Sequence, residues 1–242
     1  MTMTQQELER AQLEDAEIVE LFDSRANMYG LLAGLYRKEL EFDQVNELKR
    51  MRFPANTGNE STDRGFRDLY EYLKTAWEGS VTELKVDYSR TFIGSGVSGY
   101  SAAYLYESVY TSERRLLARE ARDEVLQYYR NNNLMKGEWN DLEDHVALEL
   151  EFMQIMSMRT RDALAEGNED AALNLIRCQH DFIRSHLNNW LPMMVGDVLK
   201  FSETKLYRGV ALVTLGYCED DEVLLAELLD GAPEAPVEVG VA

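Results

Sequence analysis

Apolar residues recur at three- and four-residue spacing along nearly the whole chain, and no alternating apolar–polar run of any length occurs. The first pattern puts apolar side chains on one face of a helix, and the second would have marked strands. A chain written this way can bury a core only by packing helices on helices. One stretch interrupts the pattern. Residues 88–110, YSRTFIGSGVSGYSAAYLYESVY, begin as the end of a helix, break at Gly94, Gly96 and Gly99, and finish in Tyr106-Glu107-Ser108-Val109-Tyr110. Glycine permits backbone angles that other residues avoid. A loop of this length inside a helical domain is uncommon and usually functional, and its tyrosines argue against disorder.

Punctuation divides the rest into about nine or ten helices in one all-α domain over residues 1–230, followed by a flexible tail over 231–242 that holds Pro233 and Pro236. Residues 1–5 are expected to fray. A helix over 6–22 is followed by Asp23 or Ser24, either of which can cap the next helix, with Met28, Leu31, Leu32, Leu35 and Tyr36 on its apolar face. Gly30 and Gly34, four apart, allow close packing on a neighbour. A short helix over 43–51 leads to a loop over 52–59. Phe66, Leu69, Tyr70, Leu73 and Trp77 mark a helix that ends at Gly79. Ser80-Val81-Thr82-Glu83 reads as a capping box opening the helix of Leu84, Tyr88 and Phe92. A long helix covers 111–131, and Asn131 to Asn133 with Gly137 form a connector. Asp141 caps a strong helix to Glu166, closed by Gly167, and Asn168 caps another to Trp190. Pro192 suits the first turn of a short helix over 193–200. Helices from Ser202 to Cys218 and over 222–229 complete the reading.

Charge narrows the function. The formal net charge is -19, from 44 acidic and 25 basic residues. Such a surface repels nucleic-acid phosphate and anionic lipid and favours a basic partner such as a cationic peptide. Cys178 and Cys218 form no CxxC pair and no disulfide framework, and are read as buried thiols of a reducing compartment. The polar, acidic start MTMTQQELERAQLEDAEIVE is no signal peptide, and no run of 18 apolar residues exists. The expected location is the cytoplasm.

Asp144-His145 opens the strong helix. In one reading Asp141 caps, Asp144 reaches back to the cap, and His145 is an edge residue supported by Glu149 one turn later. In another, Asp144, His145 and Glu149 are acid–base groups of a helical, nucleotide-binding or hydrolysing enzyme. A di-iron bundle would need Glu-x-x-His on two helices, and the residues three before His145, His180 and His186 are Leu142, Arg177 and Ile183, so no metal is expected. Gly94-x-Gly96-x-x-Gly99 spells a dinucleotide fingerprint but follows a helix rather than a strand, so no cofactor is expected from it. No Gly-x-Ser-x-Gly elbow exists. Arg114-Arg115 lies mid-chain without an apolar segment at an N-terminus, and reads as a solvated face paired with Glu113 or Glu120 rather than an export signal.

Several motifs together resemble one family. Tyr88-x-x-x-Phe92-Ile93-Gly94, then Tyr106-Glu107-Ser108-Val109-Tyr110, then Asp144-His145-x-x-x-Glu149-Leu150-x-Phe152-Met153 are similar in order and spacing to the TorD/DmsD chaperones of molybdoenzyme maturation. Arg25-x-x-x-Tyr29-x-x-Leu32-Ala33 and His186-x-x-x-Trp190-Leu191-Pro192 extend the likeness over about residues 20–225. The resemblance implies an all-α, non-enzymatic, cytoplasmic protein. It would bind the twin-arginine leader of a dimethyl sulfoxide reductase-type molybdopterin oxidoreductase, or its apo form, and delay export until the cofactor is inserted. It implies a leader site at Asp144 and His145, lined by Tyr104, Tyr106, Glu107, Ser108 and Tyr110. Glu107 and Asp144 would meet the leader arginines, and Tyr104, Tyr106 and Tyr110 its apolar part. Some members bind guanine nucleotide weakly, and some form domain-swapped dimers; a monomer or such a dimer is expected. Three family prolines are missing, with Ser95, Leu105 and Leu142 in their places, which predicts a less pre-organised loop. A plain helical scaffold remains the third alternative, and it predicts no groove near the loop.

Overall fold

Two long helix pairs carry the architecture, as seen in a computed structural model that describes residues 5–94, 102–112 and 119–230. The expectations for the N-terminal residues 1–4, the glycine loop from Ser95 to Ser101 (its fingerprint included), Arg114-Arg115 and the tail over 231–242 lie outside the described residues. The elements are α1 (Gln5–Arg37), α2 (Phe42–Arg50), α3 (Glu60–Leu73), α4 (Ser80–Tyr88), α5 (Glu107–Thr111), α6 (Arg119–Asn131), α7 (Val146–Ala165), α8 (Glu169–Phe182), α9 (Asn188–Phe201) and α10 (Lys205–Leu229). A π-helical turn, Ser89–Ile93, extends α4, and another, Ile183–Leu187, joins α8 to α9. The class is all-α in a single domain. The sole β-type pairing among the described residues is an isolated antiparallel bridge between Tyr106 and His145.

α1 lies along α7, and α10 lies along α3, with α8 and α9 closing the bundle. The first turn of α7 is buried on every side, from Val146 to Leu150, so this helix runs through the middle of the core. At the α3–α10 crossing Gly65 faces Gly209 so closely that a methyl group on either would meet backbone: a Cβ at Gly65 would stand 2.7 Å from the Val213 nitrogen, and one at Gly209 2.7 Å from the Gly65 carbonyl oxygen. The pair suspected in the sequence behaves differently. Gly30 does pack against the Gln154 side chain, whereas Gly34 faces open space.

Three expected breaks are absent, and two expected helix starts lack the caps proposed for them. α1 runs straight through Asp23 and Ser24, because Asp23 accepts from Arg161 (2.7 Å) and Asn27 instead of capping. α10 continues past Cys218, since Asp221 is needed inside the bundle. The break expected between Trp190 and Met193 falls inside α9, which holds Pro192 within it. The Ser80–Glu83 capping box does not form: Ser80 Oγ accepts from the Trp77 N–H at 3.2 Å, and Glu83 accepts from the Tyr72 hydroxyl at 3.0 Å. Trp77 lies beyond α3, which ends at Leu73, and is exposed. Ser202-Glu203 opens no helix. Asp87 of α4 takes the N–H groups of Glu203 (2.9 Å) and Thr204 (2.8 Å) and both nearby hydroxyls, which fixes the start of α10 at Lys205. Burial alone would raise the Asp87 carboxyl, but these donors overcome it and hold it below the ordinary range. Asn168 caps α8 as expected, and Gly167 ends α7 with positive φ. Of the two thiols Cys218 is buried, Cys178 is only half-buried, and both are free.

Candidate functional site

The segment after the glycine loop folds onto the start of α7 through main-chain pairing. Glu107 N donates to the Asp144 carbonyl at 3.0 Å, and Val146 N donates to the Leu105 carbonyl at 2.8 Å. These two bonds make the Tyr106–His145 bridge and leave Tyr106 extended, as the residue before α5. The carboxylate of Asp144 then reaches across: its Oδ2 accepts from the Ser108 N–H at 3.1 Å, satisfying an amide in the first turn of α5. Asp144 therefore caps a helix on the other segment rather than supporting its own.

The cap of α7 is His145. Its Nδ1 accepts from the Ala147 N–H at 3.1 Å, which places the proton of the neutral ring on Nε2. The expected cap, Asp141, instead accepts from the Tyr106 hydroxyl at 2.7 Å and the Leu142 N–H at 2.9 Å. Nor is His145 an edge residue. It is 4% exposed, with Tyr106 and Trp139 edge-on to its ring at 5.1 and 4.9 Å. Burial pushes its pKa down to about 4, against the pull of Asp141.

Behind the bridge lies a buried acidic cluster. Glu107 Oε2 is 2.9 Å from His186 Nδ1, and Glu149 Oε2 accepts from the Trp190 indole N–H at 3.1 Å. Burial, then the charges of Glu107 and Asp144, push the Glu149 carboxyl well above the ordinary range. The other oxygen, Glu149 Oε1, is buried and has no hydrogen-bond partner. Burial also raises Glu107 and Asp144, countered by His186 in the first case and Ser108 in the second. Two more buried polar atoms, Asp144 Oδ1 and Ser108 Oγ, have no partner. Buried polar atoms are nearly always satisfied, so each such exception calls for an account.

The structure thus brings Tyr106, Glu107, Ser108, Asp144 and His145 together at one junction. Tyr110 joins it through Trp190, on which its ring stacks at 5.6 Å, and Tyr104 is half-buried just before it. Glu107 and Asp144 are buried, not on a rim; the acids nearer the surface are the half-buried Asp141 and Asp197 and the exposed Glu138. Sequence reading missed His186 and Trp190 as partners of this junction, although each stood in a motif already noted, and it set Glu149 beside His145, whereas Glu149 bonds Trp190. Arg25 and Tyr29 prove to be a separate buried knot: Arg25 Nε is 2.6 Å from Asp221 Oδ1 and Tyr29 donates to Asp221 Oδ2 at 2.5 Å. Among the described residues no group of three His, Cys, Asp or Glu side chains is arranged to hold a metal ion, and no helix is long and apolar enough to cross a membrane.

Comparison with known proteins supplies the family. The model of the nitrate reductase delta subunit family matches residues 59–196, which contain the whole junction. Chaperone protein TorD of Shewanella piezotolerans is 26% identical over 208 residues, covering 82% of this chain and 90% of that protein. Chaperone protein TorD of Vibrio parahaemolyticus is 26% identical over 216 residues, covering 86% of this chain and 98% of its own. The same-named protein of Vibrio cholerae is 26% identical over 220 residues, covering 88% and 97%. These relatives are all named chaperones. The chain belongs to the nitrate reductase delta subunit family and, within it, to the non-enzymatic TorD/DmsD chaperones.

Proposed function

We propose that this protein is a cytoplasmic chaperone for a molybdopterin oxidoreductase, binding the twin-arginine leader, the apo enzyme or both, and delaying export until the cofactor is in place. The observation that carries this reading is the junction itself. Asp144 holds α5 in position with one carboxylate oxygen and keeps the other, Oδ1, without a partner. The half-buried Tyr104, Tyr106 and Tyr110 stand on the segment so held. A leader has basic residues followed by an apolar stretch. Half-buried tyrosines suit the apolar part, and Asp141, Glu138 and Asp197 give a first acidic contact for the arginines. The unpartnered oxygen of Asp144 is the deeper acceptor that a guanidinium would complete. His145 is a positioning residue, since its Nδ1 is spent on the cap and its ring on Tyr106. The same spending weighs against the acid–base enzyme alternative, which needs His145 free to take a proton.

The test is calorimetric titration with the leader of a molybdoenzyme encoded beside this gene, against an unrelated leader. Selective binding in the micromolar range or tighter is expected. Asp144→Asn, which keeps an acceptor for Ser108 but removes the charge, should weaken it about tenfold or more. Equal affinity for both leaders, or an unchanged affinity in Asp144→Asn, would remove this site from the account.

A further inference from the structure

Basic side chains are scarce here, and many of the described ones are paired with acids. Arg25 binds Asp221, Arg37 binds Glu151, Lys85 binds Glu41, Arg122 and Lys136 share Glu143, Arg161 binds Asp23, and Lys205 binds Glu71. One group stands apart. Lys49, Arg52, Arg67 and Lys74, from the end of α2, the loop after it and α3, line a cavity of about 690 Å³. Among the described residues none of the four is in an ion pair. Lys49 donates to the Ala76 carbonyl at 2.5 Å, and the Lys74 ammonium lies 5.8 Å from the Tyr70 ring. The one acid on the wall, Asp63, already accepts from the N–H and hydroxyl of Thr57 at 2.7 and 2.8 Å. Glu71, whose charge Arg67 and Lys74 also feel, is held by Lys205.

The floor between these cations is apolar. Leu48 and Leu73 are buried beneath it, the Phe53 and Phe66 rings stack at 5.4 Å, and Met51 and Tyr70 are 41% and 61% exposed. The hollow continues past Met51, Phe53, Pro54 and Phe66 into a second one of about 760 Å³ between α1 and α10, lined by Leu21, Met28, Leu31 and Leu224. Four cations share one wall acid, Asp63, which also feels Arg67, so positive charge stays in excess there and the cations repel one another, while exposed large apolar side chains gain nothing from water. Both costs are relieved by one kind of occupant, since interfaces match potential with opposite potential around an apolar centre.

We propose that this groove is a docking surface for a segment of another protein in which acidic residues surround one or two large apolar side chains. It shares no residue with the Tyr106–Asp144 junction, and its charge is wrong for a twin-arginine leader, so the two surfaces have different occupants. In a chain of net charge -19, an acidic ligand is repelled by the molecule as a whole and needs such a patch to bind, which makes the test sharp.

The probe is a fluorescein-labelled peptide with Glu residues flanking a Leu and a Trp, titrated into the full chain by anisotropy beside the same peptide with Gln for every Glu. The Glu peptide should bind about tenfold tighter or more. The double variant Arg52→Glu/Arg67→Glu should abolish that preference, and a leader peptide should not compete. Both arginines are exposed, and an unchanged circular dichroism melt confirms that the fold survives. Equal binding of the two peptides, or binding indifferent to the charge reversal, overturns the proposal. So does tighter binding of a single-stranded oligonucleotide at the same arginines. Concentration-dependent self-association that the reversal abolishes would also overturn it, by making the groove an interface between copies.

Discussion

Asp144 spans two segments with one side chain, and its replacement separates its two properties, shape and charge. Asp144→Ala leaves the Ser108 N–H buried without an acceptor, at a cost of about 1–3 kcal/mol. Asp144→Asn keeps an acceptor oxygen and should stay within about 1 kcal/mol of the parent. Urea unfolding measures both, and equal losses in the two variants would contradict the cap. His145 adds a pH dependence with a definite sign. Its folded pKa is depressed from 6.5 to about 4, so its contribution is present above pH 6.5 and is lost as pH falls towards 4. The loss is at most about 3 kcal/mol. Glu107, Asp144 and Glu149 act in the opposite sense, because their pKa values are raised and their stabilising contribution is lost as pH rises through them. His145→Asn isolates the histidine, since asparagine can cap α7 without titrating. Between pH 6.5 and 4 the variant should lose less stability than the parent. Parallel curves would show that His145 is not held neutral by the fold. The sequence pointed to Asp144 and His145 but gave the cap to Asp141. Spacing along one segment favours Asp141, and only the pairing with Leu105 and Glu107 turns it towards Tyr106 instead.

Helix type and order were legible from periodicity, because one-sided apolar stripes leave few alternatives. Helix ends were less so. Ser80, Glu83, Asp23 and Ser202 all have capping chemistry, and each was drawn elsewhere by a tertiary partner that local sequence cannot display: the Trp77 N–H, the Tyr72 hydroxyl, Arg161 and Asp87. The close helix crossing was equally hidden. Gly30 and Gly34 advertise themselves by spacing, whereas Gly65 and Gly209 meet from helices far apart in the chain. Opposite outcomes are expected for the same substitution. Gly34→Ala, on an exposed face with nothing near its added carbon, should stabilise by about 0.5–1 kcal/mol through helix propensity. Gly65→Ala and Gly209→Ala push a methyl into backbone that cannot yield, and should each destabilise by about 1–3 kcal/mol. Thermal melts decide it, and a stabilised Gly65→Ala would mean that α3 and α10 do not approach as described.

Across the whole molecule, the bundle is tied by a charged knot between its first and last helices. Arg25 of α1 meets Asp221 of α10 through Nε and Nη2 at 2.6 and 2.8 Å, and donates from Nη1 to Gln179 of α8 at 2.9 Å. Tyr29 completes Asp221, the guanidinium lies 4.7 Å from the Phe22 ring, and both charged side chains are about 2% exposed. This geometry explains why α10 cannot break after Cys218, and it gives the Arg25–Tyr29 motif a structural meaning apart from partner binding. A buried pair of this kind has an asymmetric energetics: removing one partner strands the other charge, while replacing both can be nearly neutral. Arg25→Ala or Asp221→Ala should therefore each cost about 3–5 kcal/mol. Arg25→Met combined with Asp221→Leu should recover most of that loss, although Tyr29 and Gln179 each give up a bond. Urea unfolding of the two single variants and the double variant closes the cycle. If the double variant is as unstable as the sum of the singles, Arg25 and Asp221 are not coupled, and the two ends of the chain are joined by apolar packing alone.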